Sequence, residues 1–519
     1  MKKNSMRTIS IILAMVFTIL LGVLGEVQSF AADKVADHNI TYWVKNALRH
    51  DERIEASEIT VRSQEGIVTL SGKVKNLAAK RYAALEAKKI NGVLSVINKI
   101  EVKPSYRRDM DITHDVRRRI LNSAVIESQG IRVTCMDGKV TLSGKVATWS
   151  EAQEARLLAS EVRGVKDVKN DLWAEHKGKR NDQEIKNDAV AAIESDVYLS
   201  WLPITVSVKD GIVTLEGSVG SAYERDRASS DLFWISHVKG VKNNLKVEWW
   251  ENRGVRKKTP APSDDALKKA VQNTLNRDTR VDKLDISIKA SYGHVTLDGS
   301  VPYRYQKRVA GQDVRDVVGV GWVTNNLFVR ADLREDWAIR DDVEFNLNTD
   351  YSLNGFDIGV KVKNAVVTLS GGTHTWHEKL HAEDVASHVR GVKKVINTIK
   401  VDWERRYSDA ALTKEVKSRL KWNWSTYWVR DEIHVNVENG VAILTGDVNT
   451  WSERKEAGRV AFHTEGIWEV DNQLTVEGFD YPWDEWHYKG TYLYEPLYHP
   501  QHHHHRFHYY YDDDDLLRK

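Results

Sequence analysis

The sequence predicts an α+β protein, a tandem array of six small αββαβ domains. Each domain is expected to be a three-stranded mixed sheet covered by two helices, and an irregular C-terminal tail follows the last domain. The prediction depends on a strand that ends in glycine and recurs six times, with an asparagine always 26 residues later. Constant internal spacing indicates a chain built from copies of one folding unit. The glycines are Gly72, Gly144, Gly217, Gly299, Gly371 and Gly446, and the asparagines are Asn98, Asn170, Asn243, Asn325, Asn397 and Asn472.

Local patterns predict each element of the repeated unit. The first helix is amphipathic, because apolar residues recur at four-residue intervals, as at Ile40, Val44 and Leu48. Two strands of alternating character then meet at a tight turn such as Asp210-Gly211. The second helix begins at a capping box of the form Ser/Thr-x-x-Glu and ends near a glycine. A right-handed crossover places the third strand parallel to the second, which makes the sheet mixed.

The repeats and their flanks define the domain organisation. We expect two triplets of repeats, separated by a linker that is basic, contains proline and is extended. The tail is rich in Tyr, Trp, His and Asp, and we expect it to be disordered. The segments are a signal peptide at 1–31, repeats at 33–103, 107–175, 181–250, 264–330, 333–403 and 407–477, the linker at 251–263 and the tail at 478–519.

The first 31 residues have the pattern of an export signal. Lys2 and Lys3 precede an apolar stretch over 9–24, and Ser29-Phe30-Ala31 supplies small residues for a signal peptidase. The alternative is an uncleaved anchor, but the apolar stretch is shorter than the roughly 20 residues that comfortably span a bilayer. No later stretch is apolar for long enough to span a membrane. We therefore expect a periplasmic protein without a transmembrane span once the signal is removed.

Cysteine content and charge exclude several classes of protein. The single cysteine, Cys135, allows neither an intramolecular disulfide nor a cysteine-based zinc site. It takes an inward-facing position on its strand, and we expect it to act as a buried small hydrophobe rather than a redox group. Subtracting the signal leaves 73 basic and 73 acidic residues. A neutral mature chain argues against a general nucleic-acid binder, since such proteins are usually strongly basic.

The sequence around the second and third strands resembles that of a known family. Residues 164–172 follow the pattern Gly-Val-x-x-Val-x-Asn-x-Leu, and the second strand repeatedly reads Val-Thr-Leu-x-Gly. Together these motifs resemble the BON domain, the bacterial osmotically induced periplasmic and nodulation module. The resemblance implies an αββαβ domain that is exported, non-catalytic and associated with phospholipid binding and envelope maintenance under osmotic stress. Departures are His237 in place of a helix-ending glycine, Asn364-Ala365 in one hairpin, and Thr373 where other repeats have valine.

Two sets of residues are candidates for lipid contact. Aromatic rings follow the first helix in repeats three and six, and such rings suit either the boundary of a bilayer or the edge of a core. Basic residues collect at the joints, where a stacked array of repeats could present them as a row to anionic headgroups. The alternative for the joints is ordinary solvated charge. The candidates are Tyr198, Trp201, Trp422, Trp424, Trp428, Arg107, Arg108, Lys179, Arg180, Arg405 and Arg406.

Histidines supply two candidate metal sites. His377-Glu378-x-x-His381 matches the helical zinc-peptidase pattern, and His388 lies further along the same stripe. Sister repeats lack these histidines, and Glu378 is already a capping-box residue, which favours chance occurrence on a solvated surface. In the tail, His502, His503, His504 and His505 could chelate a metal weakly, although disorder without a physiological metal is the alternative. We expect no cofactor.

The repeats and the export signal together predict a non-enzymatic, periplasmic envelope protein. We expect it to bind anionic phospholipid surfaces and to support envelope integrity or osmotic stress tolerance. One alternative is a periplasmic scaffold that binds other envelope proteins without lipid. The other is a zinc peptidase that uses His377, Glu378 and His381.

Overall fold

A computed structural model of the chain describes residues 35–127, 130–175, 178–248, 262–281, 284–330, 334–401 and 407–476. The expected signal peptide, most of the linker and the tail lie outside these residues. None of the helices within the described ranges is both long enough and apolar enough to cross a membrane.

Helices alternate with strands along the chain as αββαβ, six times over. We call the units modules 1 to 6, at 37–102, 109–174, 182–247, 264–329, 336–401 and 409–476. The helices of the described ranges are α1 (Asp37–Arg49), α2 (Leu77–Lys88), α3 (Asp109–Asn122), α4 (Trp149–Ser160), α5 (Asp182–Ser195), α6 (Ala222–Ser230), α7 (Asp264–Arg277), α8 (Arg304–Arg315), α9 (Asp336–Thr349), α10 (Trp376–Ser387), α11 (Asp409–Trp422) and α12 (Trp451–Phe462). Odd-numbered helices are therefore the first helix of a module and even-numbered helices the second.

The strands form a three-stranded sheet in modules 1, 2, 4, 5 and 6 and a four-stranded one in module 3, and modules 5 and 6 each have a further two-stranded sheet. In chain order they are β1 (Ile59–Gln64), β2 (Ile67–Val74), β3 (Ser95–Val102), β4 (Ile131–Met136), β5 (Lys139–Val146), β6 (Asp167–Ala174), β7 (Ile204–Lys209), β8 (Ile212–Val219), β9 (Gly240–Asn243), β10 (Lys246–Val247), β11 (Ile286–Ser291), β12 (His294–Val301), β13 (Trp322–Val329), β14 (Gly359–Lys363), β15 (Val366–Ser370), β16 (Gly372–Thr373), β17 (Lys394–Asn397), β18 (Lys400–Val401), β19 (His434–Glu438), β20 (Val441–Thr445), β21 (Asp447–Val448), β22 (Glu469–Asn472) and β23 (Thr475–Val476). The third strand is split into two pieces in modules 3, 5 and 6.

The predicted mixed sheet is confirmed in every module. In module 1, β1 pairs with β2 antiparallel, and β2 pairs with β3 parallel, with Leu70 opposite Asn98. The same order, with the second strand in the middle, recurs in the other modules. Apolar residues on the inner face of each sheet, such as Val68 and Leu70, are buried against the two helices. This burial is the main stabilising contribution to a domain of this size.

The repeated asparagine links the third strand to the second helix. Its Nδ2 donates to the carbonyl of the residue 18 positions earlier, as from Asn98 to Lys80, with N···O distances of 2.5–2.8 Å across the six modules. Its Oδ1 accepts the N–H of the residue two positions later, as from Ile100. Both ends of the amide are therefore satisfied where strand and helix meet, which explains the constant spacing.

The repeated glycine is required by backbone geometry. At all six positions φ lies between +117° and +133°, a region that side chains with a Cβ rarely adopt. A Cβ at Gly72 would lie 1.9 Å from the carbonyl oxygen of Glu58, the residue just before the first strand. His237 and Ala365, the departures noted above, adopt positive φ values of 68° and 63° without the freedom of glycine.

An aspartate that begins each first helix was missed by sequence reasoning. Asp37 accepts hydrogen bonds from the backbone N–H groups of Glu65 and Gly66 in the first hairpin. Equivalent bonds reach the hairpins of the other modules from Asp109, Asp182, Asp264, Asp336 and Asp409. In five modules this aspartate lies 29 residues before the second hairpin residue, a spacing that would have revealed it.

Modules pair in reverse order across the two triplets: 1 with 6, 2 with 5 and 3 with 4. In each pair the end of one first helix meets the end of the partner's second helix through backbone hydrogen bonds. Asn91 N–H donates to Trp422 O at 2.9 Å in pair 1–6, and Val318 N–H donates to Ser195 O at 3.0 Å in pair 3–4. In pair 2–5, N···O distances of 2.8–3.0 Å are found from Ala124 to His388, Arg390 to Asn122, Arg163 to Thr349 and Tyr351 to Glu161. The contact is reciprocal, so each pair has approximate twofold symmetry.

The three pairs contact one another through their second helices, and all six modules belong to one compact unit. Examples are Arg81 of α2 with Ser160 of α4 at 3.2 Å, Lys88 of α2 with Asp226 of α6, and Arg308 of α8 with Asp384 of α10 at 2.6 Å. The second helices therefore face the interior, and the first helices and outer sheet faces form the exterior. A stacked row of modules with all joints along one side is not what the chain forms, because the second triplet folds back onto the first.

Candidate functional site

Two of the predicted lipid-contacting rings are interior. Tyr198 is 1% exposed and Trp424 is 4% exposed, and their ring centroids lie 6.0 Å apart between modules 3 and 6. Tyr223 of α6 packs against both rings. As membrane contacts these two residues were wrongly assigned, because the aromatic loop fills the space where the pairs converge.

The other three rings differ in their exposure. Trp201 is half-buried against the same core. Trp422 stacks on Trp43 of module 1 at a centroid distance of 3.6 Å. Trp428 is 45% exposed and packs edge-on against Tyr427. Of the five candidate rings, Trp428 alone remains largely accessible to a bilayer.

The arginines that precede the first helices of modules 2 and 3 bind within their own modules. Arg107 donates to the Arg163 carbonyl at 3.1 Å and pairs with Asp115 at 2.7 Å. Arg180 makes the equivalent contacts with the Ser236 carbonyl and Asp188. Their guanidinium groups are neutralised within their own modules, so the assignment of Arg107 and Arg180 as headgroup ligands is corrected to a structural role.

The remaining basic candidates are peripheral. Arg108 is exposed and pairs with Asp111 at 2.8 Å, and Lys179 is exposed. Arg405 and Arg406 lie outside the described residues. On the surface that the structure describes, the basic residues of the joints are therefore isolated and do not form a row.

The zinc-peptidase pattern lies where module 5 meets modules 1 and 2, and the His377 N–H donates to Glu52 of module 1 at 2.9 Å. Glu378 accepts hydrogen bonds from Thr375 N–H and His374 N–H at 2.9 Å, which is the capping-box role that the sequence predicts. The rings of His377 and His381 are parallel at 5.8 Å. Burial lowers the pKa of His377 well below its ordinary value, and the neighbouring His381 lowers it further.

His381 belongs to a buried ion cluster rather than to a ligand set. Its Nε2 lies 3.0 Å from an oxygen of Asp350, which also accepts hydrogen bonds from Arg119 at 3.2 Å. Burial opposes charge on both residues, but their mutual attraction outweighs it, raising the pKa of His381 to about 9 and lowering the pKa of Asp350 to about 2. At neutral pH the cluster is a charged pair with additional hydrogen bonds, the condition under which a buried pair is tolerated.

The geometry around His377, His381 and His388 is not that of a metal site. His388 lies beside Asp384 and within 3.8 Å of Glu154, in contact with the Tyr305 ring. Among the described ranges, no three His, Cys, Asp or Glu side chains are arranged to hold a metal ion. His502, His503, His504 and His505 lie outside those ranges.

Cys135 lies half-buried on the inner side of β4. Its thiol contacts Asp109 Oδ1 at 3.2 Å, and Asp109 is the aspartate that binds the hairpin of module 2. Burial and the adjacent carboxylate raise the pKa of the Cys135 thiol to about 12. The thiolate needed for redox chemistry is therefore disfavoured.

The first helices of each pair lie side by side and form three equivalent exterior surfaces, which sequence reasoning did not identify. In pair 2–5, α3 packs on α9, with Asn122 donating to Asp342 at 2.8 Å. This 2–5 helix surface exposes three large apolar side chains, Met110 (68% exposed), Leu121 (56%) and Trp337 (61%). This surface could have been found in the sequence, because its apolar residues lie on the side of the predicted helices that faces away from the core.

The other two helix surfaces have different chemistry. The 1–6 helix surface, formed by α1 and α11, exposes the cations Lys45, Arg49, Lys414, Lys417 and Lys421. The 3–4 helix surface, formed by α5 and α7, exposes side-chain amides such as Gln183, Asn187 and Asn276.

Comparisons with known proteins agree with the repeated architecture. Six segments of the chain match the BON domain family, at 36–104, 108–173, 181–248, 263–331, 335–402 and 408–478. The chain is 35% identical over 143 residues to Osmotically-inducible protein Y of Escherichia coli (strain K12), covering 26% of this chain and 71% of the relative. It is 30% identical over 141 residues to Outer membrane lipoprotein DolP of Haemophilus influenzae, covering 26% and 72%.

A solved structure also matches part of the chain. The C-terminal domain of CdsD, titled the structural protein of the Type III secretion system of Chlamydia trachomatis, matches 41% of this chain and 100% of that chain. The identity is 16% and the TM-score 0.12, a similarity too low to carry functional information.

Proposed function

The chain belongs to the BON domain family, and we propose that it is an exported, non-catalytic protein of the bacterial envelope that binds anionic phospholipid surfaces. One relative is named for osmotic induction and another as an outer membrane lipoprotein, which supports a role in the envelope. The N-terminal pattern of a basic start and an apolar stretch supports export to the periplasm.

The observation that carries the lipid proposal is the 2–5 helix surface. On α3 the exposed residues Met110, His114, Arg117 and Leu121 recur at intervals of four, three and four, so they form one stripe on the side opposite the buried core. Trp337 adds an indole ring from the adjacent α9. A helix that exposes apolar and basic residues on one stripe is typical of segments that lie in the interface of a membrane.

The energetics favour a peripheral, reversible contact. Each large apolar side chain that leaves water contributes roughly 1.5–3 kcal/mol. Arg117 is exposed without an ion-pair partner among the described residues, and a cation near an anionic surface contributes about 1 kcal/mol. Three inserted side chains and one free cation are enough for binding without a transmembrane segment.

Liposome flotation tests the proposal. Mature protein should float with vesicles that contain anionic lipid, and the triple variant M110S/L121S/W337S should bind them more than about tenfold more weakly, since it removes most of the inserted apolar surface. Its melting temperature should stay the same, because these side chains are already in water.

The matched control is W173S/Y292S/F328S, which replaces comparably exposed large side chains outside the first helices. It should bind vesicles like the unsubstituted protein. Equal loss in both triple variants would refute the assignment to α3 and α9. Loss of a co-purifying protein with vesicle binding intact would instead support the periplasmic scaffold.

A further inference from the structure

The 1–6 helix surface is formed by two antiparallel helices held by specific contacts. Trp43 of α1 stacks on Trp422 of α11, and Asn46 Nδ2 donates to Glu415 Oε1 at 3.0 Å. These contacts lie between the helices, so the residues on their outer sides are left to solvent.

Those outer sides are dominated by positive charge. Lys45 and Arg49 lie one turn apart on α1, and Lys414, Lys417 and Lys421 lie at intervals of three and four residues on α11. All five are exposed, and none forms an ion pair with another described residue. The acidic group among them, Glu415, is engaged by Asn46 and lies 3.9 Å from His50.

The fold does not require this charge. On the 2–5 helix surface the exterior positions include three large apolar side chains, and on the 3–4 helix surface they mix amides, acidic side chains and two lysines. Five unpaired cations repel one another and raise the local potential, so an anionic partner is the complement that this surface fits.

A segment of opposite charge follows module 6 directly. Residues 477–519 contain nine acidic and four basic residues, with the acidic run Asp512–Asp515 near the end. Asp512 is 36 residues beyond Val476, the last residue of β23. An extended chain of that length reaches up to about 120 Å, whereas a 70-residue domain has a radius of gyration of only about 11 Å. Chain length therefore does not prevent the acidic run from reaching α1 and α11 of its own molecule.

We propose that the acidic run Asp512–Asp515 docks on the 1–6 helix surface and covers its five cations. The docked segment acts as an intramolecular competitor and shields this surface from other polyanions. The proposal is independent of the lipid function, which concerns α3 and α9.

Zero-length carbodiimide cross-linking of the full chain tests the contact, because this reagent joins carboxylates only to amines in direct contact. Cross-links from residues 512–515 should reach Lys414, Lys417, Lys421 and Lys45. Lys268 and Lys269 of α7 are the matched control, since they are exposed lysines on the equivalent surface of pair 3–4. Cross-links that reach the control lysines as often as those of α11 would overturn the proposal.

Binding of a fluorescent poly-glutamate peptide provides the second measurement. The variant D512N/D513N/D514N/D515N keeps the length of the segment and removes its charge, so the peptide should bind at least about fivefold more tightly than it binds the unsubstituted chain. The expectation follows from the high effective concentration of a tethered competitor. The charge-reversal variant K414E/K417E/K421E should lose both the cross-links and the peptide, with an unchanged melting temperature. Equal peptide affinity with and without the aspartates would mean that the acidic run does not cover these cations, and the proposal would be wrong.

Discussion

Inside each of the six modules the same side chains make the same contacts, whereas the ion pairs that cross between modules differ from one junction to the next. The asparagine of the third strand bonds the second helix in all six modules with nearly the same distances. By contrast, the residue that follows the first helix is aspartate in modules 3, 4 and 5 but Ser123 in module 2 and Asn423 in module 6, although all lie in the same kind of backbone bridge. A repeated contact specifies the fold of the unit, and a varied contact specifies which units assemble.

The junctions differ because each must bury its own set of charges. In pair 1–6, Glu86 is buried between Arg53 at 3.0 Å and Arg459 at 3.2 Å. In pair 3–4, Arg227 is shared by Asp196 and Asp316. A module placed against the wrong partner would leave such charges unpaired, which is costly in a low-dielectric interior. The varied charges therefore favour the pairing 1–6, 2–5 and 3–4 over other orders.

The largest expected effect comes from breaking one junction. Asp350→Ala leaves Arg119 and His381 buried without their carboxylate, and removal of one partner of a buried pair costs about 3–5 kcal/mol. Ser123→Ala is the control at the equivalent position, where the hydroxyl accepts a single bond from Val125 N–H. Chemical denaturation should show a much lower midpoint for the first variant than for the second. Similar midpoints would contradict the importance of the cluster.

The repeated asparagines provide the opposite test. Asn→Ala substitutions at each of the six positions remove equivalent pairs of hydrogen bonds, and each should cost about 1–3 kcal/mol. Because the contact is the same in every module, the six free energies of unfolding should agree within about 1 kcal/mol. A spread as wide as that between Asp350→Ala and Ser123→Ala would show that modules are not equivalent inside.

The charge of His381 should make the 2–5 junction sensitive to alkaline pH. The pKa of His381 is raised to about 9, above its ordinary value, so the stability it contributes is complete below about pH 6.5 and is lost as pH rises through 9. The free energy of unfolding of the unsubstituted chain should therefore decrease over this range by on the order of 2 kcal/mol. His381→Gln should flatten that part of the profile, and an unchanged slope in the variant would exclude His381 as its source.

The smallest effect is expected at the zinc-peptidase pattern. Glu378→Gln weakens a capping box at the start of α10, and loss of a cap costs typically about 1 kcal/mol. A slight drop in melting temperature is expected, with no change in any peptide-cleavage assay. A proteolytic activity that disappears in this variant while the fold persists would establish catalysis.

The sequence by itself determined the module. Periodicity, hairpin turns and capping boxes are local signals, and six copies repeat them, so the order αββαβ, the mixed sheet and the capping role of Glu378 could all be predicted. The aspartates that bind the hairpins could also have been predicted, because their spacing of 29 residues is constant in five modules. They were missed because no local motif assigns a role to an aspartate at that position. Signals of this kind are readable because they act within about 30 residues of chain.

Only the tertiary structure decided which surfaces are inside. Tyr198 and Trp424 have the composition of an exposed aromatic loop, yet they are buried because the second triplet folds back and brings module 6 against module 3. Conversely, Met110 and Trp337 belong to helices whose buried faces are already complete, and they remain outside. The physical reason is that burial between modules depends on contacts between residues that are tens to hundreds of positions apart, which no local pattern along the chain reveals.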